Sequence, residues 1–463
     1  MLLLLGGLVQ AASLDQLEVG GPWGSPADTG GSAIWWSPGA LAGQDGTRVH
    51  LEAAPVLAEM RFDRAEPNAG SDRYTTTGVV PHLSVATDLG RERIGPGKLA
   101  LGAGLVVPIA RGSASQVDNG VGRYAMVDGQ SQAIYAMGGL AYRPVEWISI
   151  GVVGGAVRSS WQAISDKDTM PSLAQSIQQA GGSHSYTDDQ LEDPDYSVRA
   201  DFDLADLAWT GGAGVWLRPH EMVTISASYL HGVTVDNSGP VQMDFQCPPQ
   251  TDTGGRYVAE SNGICDSRVN GEATVSYRLP ARVNAGLAVQ PNEKLRLEAM
   301  GGWVRWSEYT DFEITVRDPV SVDGQLSEAT VQNISGTTWQ ARDNENAYWG
   351  GLDAKLRPVP FVTVGGRAIF DSGAVPDHAL SPNNYAARLW MFSGLLAGHL
   401  PEDKLTLGFS YTYFLIQERS TTESAFYMSL EDPPEHERWE YPHRAGTYNS
   451  DIHRIGIHVR AAL

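Results

Sequence analysis

The sequence predicts an all-β fold: a transmembrane antiparallel β-barrel of about fourteen strands with an N-terminal hatch inside it. Three observations carry that expectation. Many segments alternate apolar and polar side chains with period two, as along 404–415 and 454–461. Short proline turns alternate strictly with long polar connections. A Gly- and Trp-rich segment that does not alternate precedes the first strand.

The chain of 463 residues is long enough for one large barrel with extended loops. No stretch approaches the roughly 18 unbroken apolar residues that a spanning helix needs. A membrane barrel hides its lipid-facing surface in every second residue, so bulk hydropathy does not decide the matter. The formal net charge of −21 argues against nucleic acid as a partner, because phosphate binding requires a basic face. Acidic outer loops and a soluble acidic surface both account for that charge.

From the N-terminus, residues 1–12 read as a signal peptide: an apolar run, then small residues at a Val-x-Ala cleavage pattern. Residues 13–45 hold Trp23, Trp35 and Trp36 among glycines and prolines, and they read as the hatch. A barrel this wide leaks if left empty. Residues 46–463 read as the barrel. Its strands are expected at 47–64, 75–87, 98–111, 130–142, 147–161, 198–217, 222–237, 269–289, 294–316, 338–356, 361–370, 385–399, 404–418 and 448–462.

Turns such as Arg143-Pro144-Val145-Glu146, Arg218-Pro219-His220-Glu221 and Arg357-Pro358-Val359-Pro360 close successive strand pairs. The longer connections, among them 163–197, 238–268 and 419–446, fall at the opposite end. Short periplasmic turns and long outer loops are the asymmetry of outer-membrane barrels. Cys247 and Cys265 lie close together in one such loop and suggest a disulfide.

The third strand holds Gly102, Gly104 and Pro108 on one face. Proline cannot donate to a ladder and glycine permits a bend, so a local gap near 104–108 is expected. No nucleophile elbow, His-Glu-x-x-His or phosphate loop is present, which argues against an enzyme. His82, His184, His231 and His399 occur singly and read as ordinary lumen or loop residues. No metal site and no cofactor are expected. The acidic loops lack a spaced calcium motif.

Three groups of residues resemble the long-chain fatty acid transporter (FadL) family, which includes aromatic-hydrocarbon transporters of the TodX type. Ala33-Ile34-Trp35-Trp36-Ser37-Pro38-Gly39-Ala40-Leu41-Ala42 resembles the hatch motif, with Ser37 where the family has Asn and Gly39 where it usually has Ala. Leu279-Pro280 through Gly286, Pro291-Asn292-Glu293 and Trp306-Ser307 resemble its strand–turn–strand. Val375-Pro376-Asp377 is similar to its Pro-Val-Pro-Asp loop.

The resemblance implies passive uptake of hydrophobic small molecules across the bacterial outer membrane, past lipopolysaccharide, after insertion by the barrel assembly machinery. Substrate would be caught outside, pass a site at Trp35, Trp36, Ser37, Pro38, Gly39 and Leu41, and leave sideways at a kink in the third strand. A monomer is expected. The alternative reading is an aqueous diffusion porin.

Overall fold

The computed structural model describes residues 17, 19–66, 69–89, 97–169, 192–263, 265–309, 311–322, 326–400, 403–422, 428–429 and 444–463. The expected leader and His184 lie outside the described residues.

Fourteen antiparallel strands form a closed barrel. In chain order they are β1 (Thr47–Arg64), β2 (Gly70–Asp88), β3 (Lys98–Ser115), β4 (Asp128–Val145), β5 (Ile148–Asp168) and β6 (Ser197–His220). Four strands run in two segments each. They are β7 (Val223–Leu230, Val233–Phe245), β8 (Arg268–Leu279, Arg282–Asn292), β9 (Leu295–Val304, Asp311–Ser321) and β10 (Gly336–Ala341, Ala347–Val359). The circuit continues through β11 (Val362–Asp371), β12 (Leu389–His399), β13 (Leu405–Ile416) and β14 (Gly446–Ala462). β14 pairs back onto β1, from Arg48↔Ala462 to Arg64↔Gly446, so the sheet has no free edge.

The alternation read from the sequence is the alternation of the wall. On β13 and β14, Leu407, Phe409, Tyr411, Leu415, Ile455 and Ile457 are exposed on the outer surface. Ser410, Thr412, Arg454 and His458, between them, are buried in the lumen. An apolar exterior around a polar, filled interior suits lipid outside and packed side chains within.

The proline turns have a specific lock. In each Arg-Pro turn the guanidinium folds back onto the carbonyl three residues on. Arg143 Nε donates to the Glu146 carbonyl (2.9 Å), Arg218 Nη2 to that of Glu221 (2.9 Å) and Arg357 Nε to that of Pro360 (2.8 Å). At the Pro291-Asn292-Glu293 turn Asn292 Oδ1 accepts from Lys294 and Leu295 N–H (2.9 and 3.0 Å). These side chains satisfy backbone groups that a tight turn would leave open.

At the other end the loops carry short helices. One, Thr253–Ser261, is capped by Asp252, and another, Glu328–Ile334, by Ser327. Ser327 N–H donates to the Asn262 carbonyl (3.3 Å), which ties the two loops together. β12 starts at Leu389 rather than at 385. The preceding residues are held in the loop by the Tyr385 hydroxyl, which donates to the Gln417 carbonyl (2.9 Å).

Several ladders are interrupted, those between β2 and β3 and between β6 and β7 among them. Between β2 and β3 pairing stops at Thr77↔Gly112 and resumes at His82↔Val106. Between β6 and β7 it stops at Gly212↔Leu230 and resumes at Ala205↔Ser238. The second break is bridged: His231 N–H donates to the Gly211 carbonyl (2.9 Å), Thr210 Oγ1 to that of His231 (2.8 Å), and Asp236 N–H to the Asp206 carboxylate (2.9 Å).

Candidate functional site

Residues 19–46 fill the lumen near the barrel's short-turn end and are almost wholly buried. The segment cannot join the ladder, so its backbone groups need other partners. It makes a turn at Gly21–Trp23, a four-residue helix at Ala33–Trp36 and a second turn at Pro38–Gly43. Proline stands at the first position of that second turn, where its missing N–H costs nothing.

Charged wall residues supply the partners. Arg367 donates to the carbonyls of Gly21, Gly24 and Pro22 (3.0, 2.9 and 3.0 Å), and its Nε is held by Asp353 (2.9 Å). Glu298 accepts from Ser25 Oγ (2.8 Å) and Ala27 N–H (3.1 Å). Asp28 pairs with Arg296 (2.8 Å) and Lys355 (3.2 Å). Burial opposes the charge on Asp28, yet Arg296 and Lys355 outweigh it and hold the carboxyl near a pKa of about 2.

The predicted hatch residues occupy distinct places. The Trp36 indole donates to the Val19 carbonyl (2.8 Å) and lies edge-on to Trp349. Its carbonyl accepts from Ser228 Oγ, and Ser37 Oγ donates to the Val215 carbonyl (3.3 Å). Gly39 lies against β6 so closely that a Cβ would stand 2.9 Å from the Gly214 oxygen and the Trp216 nitrogen. Leu41 fits where β3 and β4 have no side chain: a Cβ on Gly102 or Gly139 would come within 2.8 or 3.0 Å of it. Trp35 points the other way. Its ring meets Tyr135 edge-on (5.2 Å), and the Arg282 guanidinium stands 3.3 Å from its centroid.

Beyond Trp35 the lumen wall is aromatic. Trp161 lies 5.4 Å from Phe202 and 5.3 Å from Phe312, and Tyr277 stacks on Phe312 at 5.7 Å. Two buried cations face this region, Arg282 at Trp35 and Arg342 over Phe312 (5.1 Å), and Arg282 Nε and Nη2 have no hydrogen-bond partner among the described residues. The signal of Arg282 in the sequence was faint, since one arginine after Leu279-Pro280 looks like any other.

The three residues singled out on β3 separate. Gly102 and Gly104 sit in continuous ladder, paired with Ala86 and Ser84. Their missing side chains make room for Leu41 and Ile34. Pro108 lies in the break. From Val106 to Gly112, β3 takes six steps against five on β2. From Val106 to Ile109 it takes three against two on β4. β3 therefore carries one residue more than either neighbour, the signature of a bulge. Val107 should face outward by alternation after Leu105, yet it is buried, so the strand turns inward there.

In the loops Cys247 and Cys265 are joined as a disulfide, with Cα atoms 4.4 Å apart. His82, which looked isolated, is not. Its ring lies 5.1 Å from His50, and His50 lies 6.2 Å from His458.

A closed strand barrel, apolar outside, with its own N-terminal segment pinned in the bore and the β2–β3 ladder interrupted beside it, defines a plugged outer-membrane channel. Residues 23–348 match the family described as outer membrane protein transport protein (OMPP1/FadL/TodX), and the chain belongs to that family. It is accordingly an outer-membrane transport protein for hydrophobic compounds and not an enzyme.

Solved structures of the same fold include a Pseudomonas aeruginosa FadL homologue, 15% identical over 99% of both chains with a TM-score of 0.73. The P. putida toluene transporter TodX is 14% identical over 99% of both chains, TM-score 0.63. The Ralstonia pickettii toluene transporter TbuX is 13% identical over 100% of this chain and 99% of its own, TM-score 0.61. No curated protein matches the chain significantly.

Proposed function

We propose that this protein takes up long-chain fatty acids or aromatic hydrocarbons passively, binds them at the hatch and releases them sideways into the membrane between β2 and β3. An apolar solute crosses hydrocarbon readily, and the polar lipopolysaccharide layer is its barrier. The protein need only offer an apolar, concave path around that layer. Trp35 and the aromatic wall beyond it supply the apolar surface. Trp36, Ser37, Pro38, Gly39 and Leu41 hold the hatch that presents Trp35.

One observation carries the reading. The β2–β3 break at 78–81 and 107–111 lies beside the hatch, where Ile34 reaches within 3.2 Å of a Cβ on Gly104. The β6–β7 break, by contrast, is closed by three hydrogen bonds. Two of the similar structures are toluene transporters, which supports the substrate class.

Arg282 separates the two substrate types. A carboxylate can pair with the guanidinium beside Trp35, and a plain hydrocarbon cannot. Residues 1–12 act as the export signal, the barrel assembly machinery inserts the chain, and lipopolysaccharide surrounds the loops. With no free sheet edge, the barrel works as a monomer.

The test is uptake of labelled oleate and toluene by a deletion strain with and without the protein, alongside conductance in planar bilayers. Restored uptake with negligible ion conductance is expected. A large open-pore conductance without hydrophobic uptake would mark a porin instead. Arg282→Met should weaken oleate uptake and leave toluene uptake unchanged.

A further inference from the structure

We infer that the root of the hatch contains a binding site for an imidazole-seeking divalent metal, of the zinc, nickel or copper type, formed by His50, Glu52 and His458. One ligand atom from each lies within 4.8 Å of the others, and all three residues are buried. The register explains the meeting. Glu52 stands directly opposite His458 across the β1–β14 seam and opposite His82 across β1–β2, while His50 follows two residues before Glu52 on the same face. Strand pairing thus draws together positions some four hundred residues apart, which is why no metal motif is visible in the sequence.

The donors point the right way. Ser410 Oγ holds His458 Nε2 at 2.8 Å, which turns Nδ1 toward Glu52, 3.9 Å away. His50 Nε2 and His458 Nδ1 are buried with no hydrogen-bond partner among the described residues. At the edge of the group His82 repeats the arrangement: Nε2 is on Ser84 (2.8 Å) and Nδ1 has no such partner. One ring nitrogen fixed by a hydroxyl and the other aimed at a shared point is how metal-binding imidazoles are oriented.

Two nitrogens and one carboxylate, close to tetrahedral reach, suit zinc, nickel or copper. Calcium and magnesium want more oxygen. Arg454 is paired with Glu52 and reduces the charge the site offers, which further favours metals bound mainly through nitrogen.

The hatch covers this site. The edge of Trp23 lies against His458 (5.3 Å) and His50 (6.5 Å). Gly21 has φ 53°, and a Cβ there would stand 2.4 Å from His458 Cε1 and 3.0 Å from Glu52 Oε1. Only glycine lets the hatch backbone sit on the cluster. A bound metal therefore rivets the first strand to the last under the hatch and strengthens the barrel seam.

The experiment uses the full mature barrel purified in detergent without a polyhistidine tag and stripped with chelator. Cobalt titration should give one equivalent bound with visible d–d bands. Zinc should displace it, a large excess of magnesium or calcium should not, and the metal should raise the unfolding temperature. The His50→Gln/His458→Gln double variant, checked for folding by heat-modifiable gel migration, should lose the bands and the thermal shift. Absence of stoichiometric binding, or equal binding by the folded double variant, overturns the site. If the variant does not fold, anomalous diffraction at the zinc edge from the wild-type protein decides. A peak between His50 and His458 is expected, and a peak elsewhere or none refutes the assignment.

Discussion

Around the root of the hatch the lumen wall presents Glu298, Asp353, Arg296, Lys355 and Arg367, and each is tied to hatch backbone or to Asp28 directly or through one partner. Farther along the same bore, around Trp35, the wall presents Tyr135, Trp161, Phe202, Tyr277 and Phe312, with buried Arg282 against Trp35 and buried Arg342 over Phe312. The first region satisfies a non-repeating backbone that has no ladder to join. The second offers flat apolar surface and few hydrogen bonds. Anchoring and the proposed binding surface are thus separated in space, and substitutions in one region should leave the other nearly intact.

The largest effect is expected from Arg367→Met. It strips three hatch carbonyls of their donor and leaves buried Asp353 without its Arg367 partner, a loss of about 3–5 kcal/mol for a buried network. Planar-bilayer conductance should rise sharply as the hatch loosens, while solute affinity measured on the closed fraction stays the same. Unchanged conductance would mean that the hatch is held elsewhere.

Gly39→Val should loosen the hatch less, by roughly 1–3 kcal/mol, since its Cβ meets β6 backbone that cannot give way. Limited proteolysis of the 19–46 segment should show an intermediate susceptibility. Trp35→Ala acts on the other region. Affinity for an aromatic solute should fall by about 1 kcal/mol, close to fivefold, with no change in conductance.

The smallest effect concerns pH. The Asp28 carboxyl, ordinarily near 3.8, is held at about 2 in the folded state, so its anchoring is fully present above 3.8 and is lost as pH falls toward 2. Hatch protease resistance should be flat from pH 7 to 4 and decline below that, and Asp28→Asn should flatten the decline. A decline already at pH 6 would assign the anchor to another group.

Much of the barrel was legible in the sequence because strand geometry writes itself locally. Alternation places Leu407 and Ile455 outside, and Arg-Pro turns mark the short end. What was not legible depends on neighbours across the ladder. Gly102 looked like a bend, whereas it is a socket for Leu41, a contact set by the hatch and not by β3 itself. Pro108 was visible as a missing donor, but the extra residue of β3 appears only when both partner registers are compared. The cluster of His50, His82 and His458 was hidden for the same reason, since barrel closure alone brings β14 to β1.

The proposed sideways exit rests on that extra residue. Deleting Pro108 gives β3 the same residue count as both neighbours between Val106 and Gly112, so its ladder with β2 can run without interruption. Labelled toluene and oleate uptake should then be measured in cells carrying equal amounts of folded wild-type and deleted barrel. Uptake by the deleted form is expected to drop to the level of cells lacking the protein, with hatch protease resistance unchanged. Wild-type uptake through a barrel whose β2–β3 ladder has closed would contradict lateral release.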